Sequence, residues 1–185
     1  FKHSLINNKK FFLFLNKNAS KILNLKSPYI EKSIYQSCLI KKKIVEKDEK
    51  EKNIRKKLNF GHTFAHAYEA TKKYSNKLNH GEAVILGIIS AAEFSFYKNL
   101  LSKNILKKII IHIESLNLNL NFKKYFKKKD IKNIVNFMKI DKKNYSSKVN
   151  LILLKKIGKP LINNSYEVNK IASFIKNILF KKYLN

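Results

Sequence analysis

Only four glycines and two prolines punctuate 185 residues, and long segments contain neither. Closely spaced strands need turns built on those two residue types, so the scarcity argues against a barrel or sandwich and for a mainly α chain. Apolar residues make up 44% of the sequence, ordinary for a globular protein. The length suits one domain with its own core rather than two.

Apolar periodicity divides the chain further. Phe11, Phe12, Leu15 and Ile22 recur at helical spacing between Lys9 and Leu25. Ser27-Pro28 predicts a helix start with Pro in the first helical position. That helix runs to about Val45, with Ile30, Ile34, Ser37, Cys38 and Lys41 along one side. A charged link spans Glu46 to Asn53. Arg55 to about Tyr74 reads as a helix interrupted by Gly61, and a polar loop covers Ser75 to Asn79. His80-Gly81-Glu82 opens an almost continuously apolar helix to about Tyr97, the expected buried centre. Ser102 is expected to cap a helix to about Leu116, and Asp130 another to about Ile140. Val149 to Leu154 predicts a short strand, or a hairpin with residues 157–162, before a last helix from Glu167 to about Tyr183.

The formal net charge is +28. Such a charge suggests a nucleic-acid or anionic-membrane partner. The composition favours another reading. Of the 40 basic residues only Arg55 is arginine, whereas phosphate and base recognition leans on the planar arginine fork. Lys, Asn and Ile make up nearly half the chain; their codons are A/T-rich, so drift in an A/T-rich genome accounts for the excess. The lysines are also dispersed, and the runs at 41–43 and 127–129 read as solvated surface, Lys41 excepted. No nucleic-acid partner is therefore expected, although the charge favours anionic substrates. Cys38 is the only cysteine, which rules out an internal disulfide and suits a reducing compartment such as the cytoplasm. No apolar run of about 18 residues is present to span a membrane. Residue 1 is Phe, so the sequence reads as starting within a longer protein.

One window departs from this background. Arg55 to Glu69, then His80 to Val84, holds three of the five histidines and the only arginine, and three of the four glycines when extended to Gly87. An arginine kept in a lysine-saturated chain points to a planar, bidentate grip on an anionic group. His62 and His66 lie one helical turn apart on one face. They could hold one metal ion together, or one could bind metal while the other moves protons. His80, just after a loop, could fold back as a further nitrogen ligand. Zinc suits nitrogen and carboxylate ligands with one position open. Gly61 and Gly81 suggest close backbone approach to the site. His112 and Cys38 read as structural or surface residues.

The pattern R-x-x-L-N-x-G-H-T-x-x-H-A-x-E from Arg55 to Glu69, followed by L-x-H-G-E-A-V from Leu78 to Val84, resembles the signature of the 3-dehydroquinate synthase family. The resemblance spans nearly the whole chain. Cys38-Leu39-Ile40-Lys41, Val45 and Asp48-Glu49-Lys50-Glu51 resemble the stretch before the arginine. Asp141-Lys142-Lys143-Asn144 resembles an Asp-Lys-Lys turn, and Val149 to Gly158 a closing strand and Ile-Gly turn.

The resemblance implies a helical C-terminal metal- and substrate-binding domain, with an N-terminal α/β NAD-binding domain lying outside these residues. It implies conversion of 3-deoxy-D-arabino-heptulosonate 7-phosphate to 3-dehydroquinate and phosphate. The steps are transient oxidation at C5 by NAD⁺, phosphate elimination, reduction and aldol closure, with no net redox change. It also implies that His62 and His80 bind zinc or cobalt, with a third ligand, a Glu, just upstream of Phe1. His66 then passes to the substrate side near the leaving phosphate. Arg55 grips the substrate carboxylate, Asn59 and His66 hydrogen-bond the phosphate region, and Glu51 handles protons. Lys2, Lys41, Lys142 and Lys143 add positive charge for substrate oxygens. The family is commonly dimeric, which implies a homodimer for the full-length protein. Ala65 stands where the family has Gly, and His3-Ser4 where it has Tyr-Gly. Rival readings are another sugar-phosphate cyclase, a metal-dependent polyol dehydrogenase, a basic helical nucleic-acid-binding protein, or a decayed remnant of the enzyme.

Overall fold

The computed structural model describes residues 1–116, 118, 121–140 and 148–179. Helices α1 (Lys2–Asn7), α2 (Lys9–Lys17), α3 (Ala19–Leu23) and α4 (Tyr29–Lys47) open the chain. A 3₁₀ segment, Ile54–Asn59, leads into α5 (His62–Thr71) and α6 (His80–Tyr97). Then come α7 (Lys103–Glu114), α8 (Phe122–Tyr125), a 3₁₀ turn at Lys128–Asp130, and α9 (Ile131–Ile140). Strands β1 (Lys148–Lys156) and β2 (Lys159–Glu167) precede α10 (Val168–Phe174) and a π-helical turn, Ile175–Leu179. The mainly α class with one hairpin is as the sequence predicts. Among the described residues no helix is long and apolar enough to cross a membrane.

Helix α6 is the centre. Every residue from Leu86 to Ser95 is buried, so its apolar continuity reflects neighbours on all sides. Its start is a capping box: the Asn79 side chain accepts from the Glu82 N–H at 3.0 Å, and the Glu82 carboxylate accepts from the Asn79 N–H at 3.0 Å. On one side α5 packs through backbone. A Cβ placed on Gly87 would lie 2.2 Å from the Gly61 carbonyl oxygen and 3.0 Å from the Ala65 nitrogen. Gly61 itself has φ +82°, and a Cβ there would meet the Ile88 nitrogen at 2.7 Å. Ala65, fully buried, is accommodated because it faces a glycine.

An aromatic core continues this packing. Phe94 meets Phe174 and Tyr166 edge-on, at centroid distances of 4.9 and 5.0 Å. Tyr68 packs 5.0 Å from Phe126 and shares a 2.6 Å hydrogen bond with Ser90. The hairpin is antiparallel, with Lys148 opposite Glu167 and Leu153 opposite Leu161. It is tied to α6 where the Leu154 N–H donates to the Ser95 hydroxyl at 2.9 Å. It is tied to α1 where the Gly158 N–H donates to the Leu5 carbonyl at 2.7 Å.

Several boundaries differ from the expectation. The 9–25 stretch is two helices, because Asn18 turns its amide back to the Phe14 carbonyl at 2.9 Å and α3 restarts there. Pro28 is the N-cap rather than the first helical residue. Arg55 to Tyr74 is not one helix: Gly61, left-handed, separates a 3₁₀ segment from α5. Asp130 closes a 3₁₀ turn, its carboxylate accepting from the Lys127 N–H at 2.8 Å and pairing with Lys72 at 3.6 Å. The last helix passes from α to π form at Ile175; residues 180–183 of its expected span lie outside the described residues.

His112, the expected structural histidine, is 2% exposed. Its ring stacks on Phe1 at 4.6 Å, with Nδ1 3.2 Å from Asn16 Oδ1. Burial lowers its pKa to about 4. Cys38 is exposed.

Two predictions follow from this packing. Gly87→Ala should destabilise the protein by about 1–3 kcal/mol through forced separation of α5 and α6, read as a lower urea midpoint; an unchanged midpoint would mean that the backbone contact yields freely. The second concerns pH. A histidine whose folded pKa is lowered leaves stability intact above its unfolded value of about 6.5. Below that, the unfolded chain takes up a proton that the folded chain refuses until about pH 4. His112 should therefore cost on the order of 3 kcal/mol across that window. Urea titrations at several pH values should show a shallower loss between pH 6.5 and 4 for His112→Gln than for the wild type.

Candidate functional site

Helix α5 places His62, His66 and Glu69 four and three residues apart, on one stripe. Phe64, Ala65, Ala67 and Tyr68 are buried in the core, so the polar stripe is left at the edge of the protein. His80 starts α6, which the Gly61–Gly87 contact holds against α5. The His62 ring consequently lies 5.6 Å from that of His66 and 6.3 Å from that of His80, both edge-on.

Each of the two expected metal-binding imidazoles has its Nδ1 near an oxygen. His80 Nδ1 lies 2.9 Å from Glu69 Oε1, and His62 Nδ1 lies 3.4 Å from the Phe60 carbonyl. In the tautomer that donates to those oxygens, Nε2 carries the lone pair in both rings, that of His62 facing the Lys2 amine. Burial, followed by the charge of Lys2, lowers the His62 pKa to about 4, so the ring is neutral at pH 7 and able to ligate. Two imidazoles on one tetrahedral zinc, with Zn–N near 2.0–2.1 Å, have centroids roughly 5–5.5 Å apart. The observed pair offers that donor chemistry and, at 6.3 Å, stands about 1 Å wider than that spacing. Among the described residues no group of three or more His, Cys, Asp or Glu could hold a metal.

The cationic side converges on the same ring. Lys2 Nζ lies 3.4 Å from His62 Nε2. Burial, then the nearby charge of Lys41, lowers the Lys2 pKa to about 8. His3, which the sequence reading noted only as a departure from the family, joins them. Its Nδ1 is 2.6 Å from the Ser37 hydroxyl, and its pKa is lowered to about 4 by burial first and then by Lys2.

Arg55, Glu51 and Asn59 form a second cluster. Asn59 donates its amide to Glu51, whose other oxygen lies 4.0 Å from Arg55 Nε. Arg55 also donates to the Glu49 carbonyl. Glu51 is left-handed, with φ +53°, a strained conformation for a non-glycine residue. The segment is organised by Asp48, within the link expected from charge alone. Its carboxylate accepts from the N–H groups of Lys52 at 3.0 Å, Asn53 at 2.8 Å and Arg55 at 2.9 Å. Those bonds, the one from Arg55 foremost, lower its pKa. A glutamate or aspartate just after a long helix was the available signal.

One expectation needs adjustment. Gly81 is not a close-approach glycine, since a Cβ there would meet only the Asn79 side chain at 3.5 Å; Gly87 fills that role. Glu82 of the His-Gly-Glu step is occupied by the cap and by the Tyr125 hydroxyl, which donates to it at 3.0 Å. Lys142 and Lys143 lie outside the described residues.

Known proteins resemble this chain in sequence and in fold. The family model described as "3-dehydroquinate synthase C-terminal" matches residues 1–144. The 3-dehydroquinate synthase of Pelagibacter ubique is 56% identical over 97% of this chain and 49% of its own length. That of Dictyoglomus thermophilum is 38% identical over 95% of the chain and 48% of its own. The chain thus spans about half the length of these curated relatives. Among solved structures, 2-epi-5-epi-valiolone synthase from Streptomyces hygroscopicus, with NAD⁺ and Zn²⁺ bound, superimposes with a TM-score of 0.79 at 15% identity. It is matched over 98% of this chain and 49% of that one. A 2-deoxy-scyllo-inosose synthase, complexed with carbaglucose-6-phosphate, NAD⁺ and Co²⁺, gives 0.68 at 21% identity, covering 81% and 42%. At those identities the likeness is one of fold.

Proposed function

The chain belongs to the 3-dehydroquinate synthase C-terminal family, and on that premise we propose that it is the metal- and substrate-binding half of a 3-dehydroquinate synthase. The reaction is conversion of 3-deoxy-D-arabino-heptulosonate 7-phosphate to 3-dehydroquinate and phosphate in aromatic biosynthesis. The observation that carries this reading is the pairing of His62 and His80 at 6.3 Å, each with Nδ1 turned to an oxygen. A basic nucleic-acid-binding bundle gives no reason for that arrangement.

Zinc or cobalt, when bound, supplies Lewis-acid polarisation of the substrate oxygens at the carbon being oxidised. NAD, held by a proposed N-terminal α/β half, supplies the transient hydride exchange. Within this chain His62 and His80 are the ligands, and the third is proposed to be a glutamate preceding Lys2 by family spacing. Arg55 provides the planar fork for the substrate carboxylate. Asn59 and His66 hydrogen-bond the phosphate region, His66 passing a proton as phosphate departs. Glu51, held between Arg55 and Asn59, is the proton-handling carboxylate. Lys2 and Lys41 offset the negative charge of the substrate, and Lys142 and Lys143 are proposed to join them. The full-length protein is proposed to work as a cytoplasmic homodimer on this small anion, without nucleic-acid or membrane partners.

Phosphate release from the heptulosonate phosphate by the full-length protein tests the assignment. Release should require NAD and a divalent metal, and His62→Ala or His80→Ala should abolish both metal binding and release. Arg55→Lys should lower kcat/KM at least about tenfold, or about 1.4 kcal/mol. The isolated 185 residues should be inactive. No release from this substrate, with turnover of a different sugar phosphate, would reassign the protein to another cyclase of the same fold, the class to which the solved neighbours belong.

A further inference from the structure

We propose that Glu69 is the positioning residue of the metal site, fixing the ring plane and tautomer of His80 so that Nε2 is the lone pair presented. This rests on the reading of His62 and His80 as ligands and adds to it the residue through which one of them acts.

The two side chains differ in freedom. His80 is 66% exposed and stands at the first position of its helix, whereas Glu69 is only 12% exposed. An exposed imidazole samples several rotamers and both neutral tautomers. The half-sunk carboxylate is anchored on α5 two turns beyond His62, on the same stripe, so its position is tied to that of the other ligand. The 2.9 Å contact from Glu69 Oε1 to His80 Nδ1 has the form of a carboxylate–histidine–metal relay, in which the outer carboxylate orients the ring and raises its basicity.

Two alternatives are closed by geometry. Glu69 is not itself a ligand beside His80 Nε2, because its Oε1 lies at the Nδ1 edge of that ring, 2.9 Å from Nδ1. Glu82, two residues from His80, cannot take the positioning role, because its oxygens serve the Asn79 N–H and the Tyr125 hydroxyl. His62 differs from His80 in that a backbone carbonyl, from Phe60, faces its Nδ1. The orientation of one ligand is thus built into the main chain, while that of the other depends on a replaceable side chain.

The test is metal affinity and cobalt spectroscopy on the full-length protein, by chelator competition and visible absorption. Glu69→Ala should weaken zinc and cobalt binding about 10–100-fold and alter the ligand-field bands of the cobalt form. Glu69→Gln retains an oxygen that can accept from Nδ1–H and should fall between Ala and the wild type. A lower melting temperature of the metal-free Glu69→Ala protein, with wild-type affinity and cobalt bands, would assign Glu69 a structural role and overturn the proposal while leaving the ligands in place. If neither His62→Ala nor His80→Ala changes metal binding, the ligand assignment falls, and this inference with it.

Discussion

Two backbones in contact set the rest of the molecule. Gly87 on α6 lies against Gly61 and Ala65 at the start of α5, closer than any side chain permits. The spacing of those helices decides how far the His62 ring sits from the His80 ring, because each histidine opens its own helix. Gly61 acts twice, once by removing a side chain and once by adopting φ +82°, which converts a 3₁₀ segment into α5 and swings His62 onto the polar stripe. Packing and chemistry are therefore the same constraint seen from two sides: the contact that seals the core also sets the bite of the site.

Charge is distributed unevenly around that frame. The chain has 40 basic and 12 acidic residues, yet carboxylates gather where order is needed. Asp48 holds the turn before Arg55, Glu51 braces Arg55 and Asn59, Glu69 meets His80, and Glu82 caps α6. Burial first, and then repulsion from Lys41, lowers the Lys2 pKa. A small anion entering there relieves that repulsion and meets a site already desolvated on one side.

Elements defined by local rules were legible in the sequence. Helix α6 ends at Tyr97 as its apolar run predicts, Ser102 caps α7, and the hairpin falls where the β-branched run and Gly158 place it. The pairing of His62 with His80 came from the family pattern, since spacing alone favoured His66 as the partner. What could not be read depends on tertiary neighbours. Gly87 looked like any helical glycine until the Gly61 carbonyl was beside it, while Gly81 looked special and is not. Asp48 needed the folded link to show three N–H groups converging on it. Glu69 was visible only as one letter of a motif, because its partner sits eleven residues away on another helix. The break at Asn18 comes from a side-chain amide competing with the helix it belongs to, which apolar periodicity does not register.

The fastening of α1 has a temporal consequence. Lys2 is carried by a six-residue helix, too short to persist unaided. Its anchors are the Gly158 N–H on the Leu5 carbonyl and the Lys57 amine, which donates to Asn7 at 2.9 Å. One anchor is thus synthesised more than 150 residues after the lysine it immobilises. During translation the hairpin's share of that fastening arrives last, so this pocket is completed late in the birth of the chain, as long-range closures are.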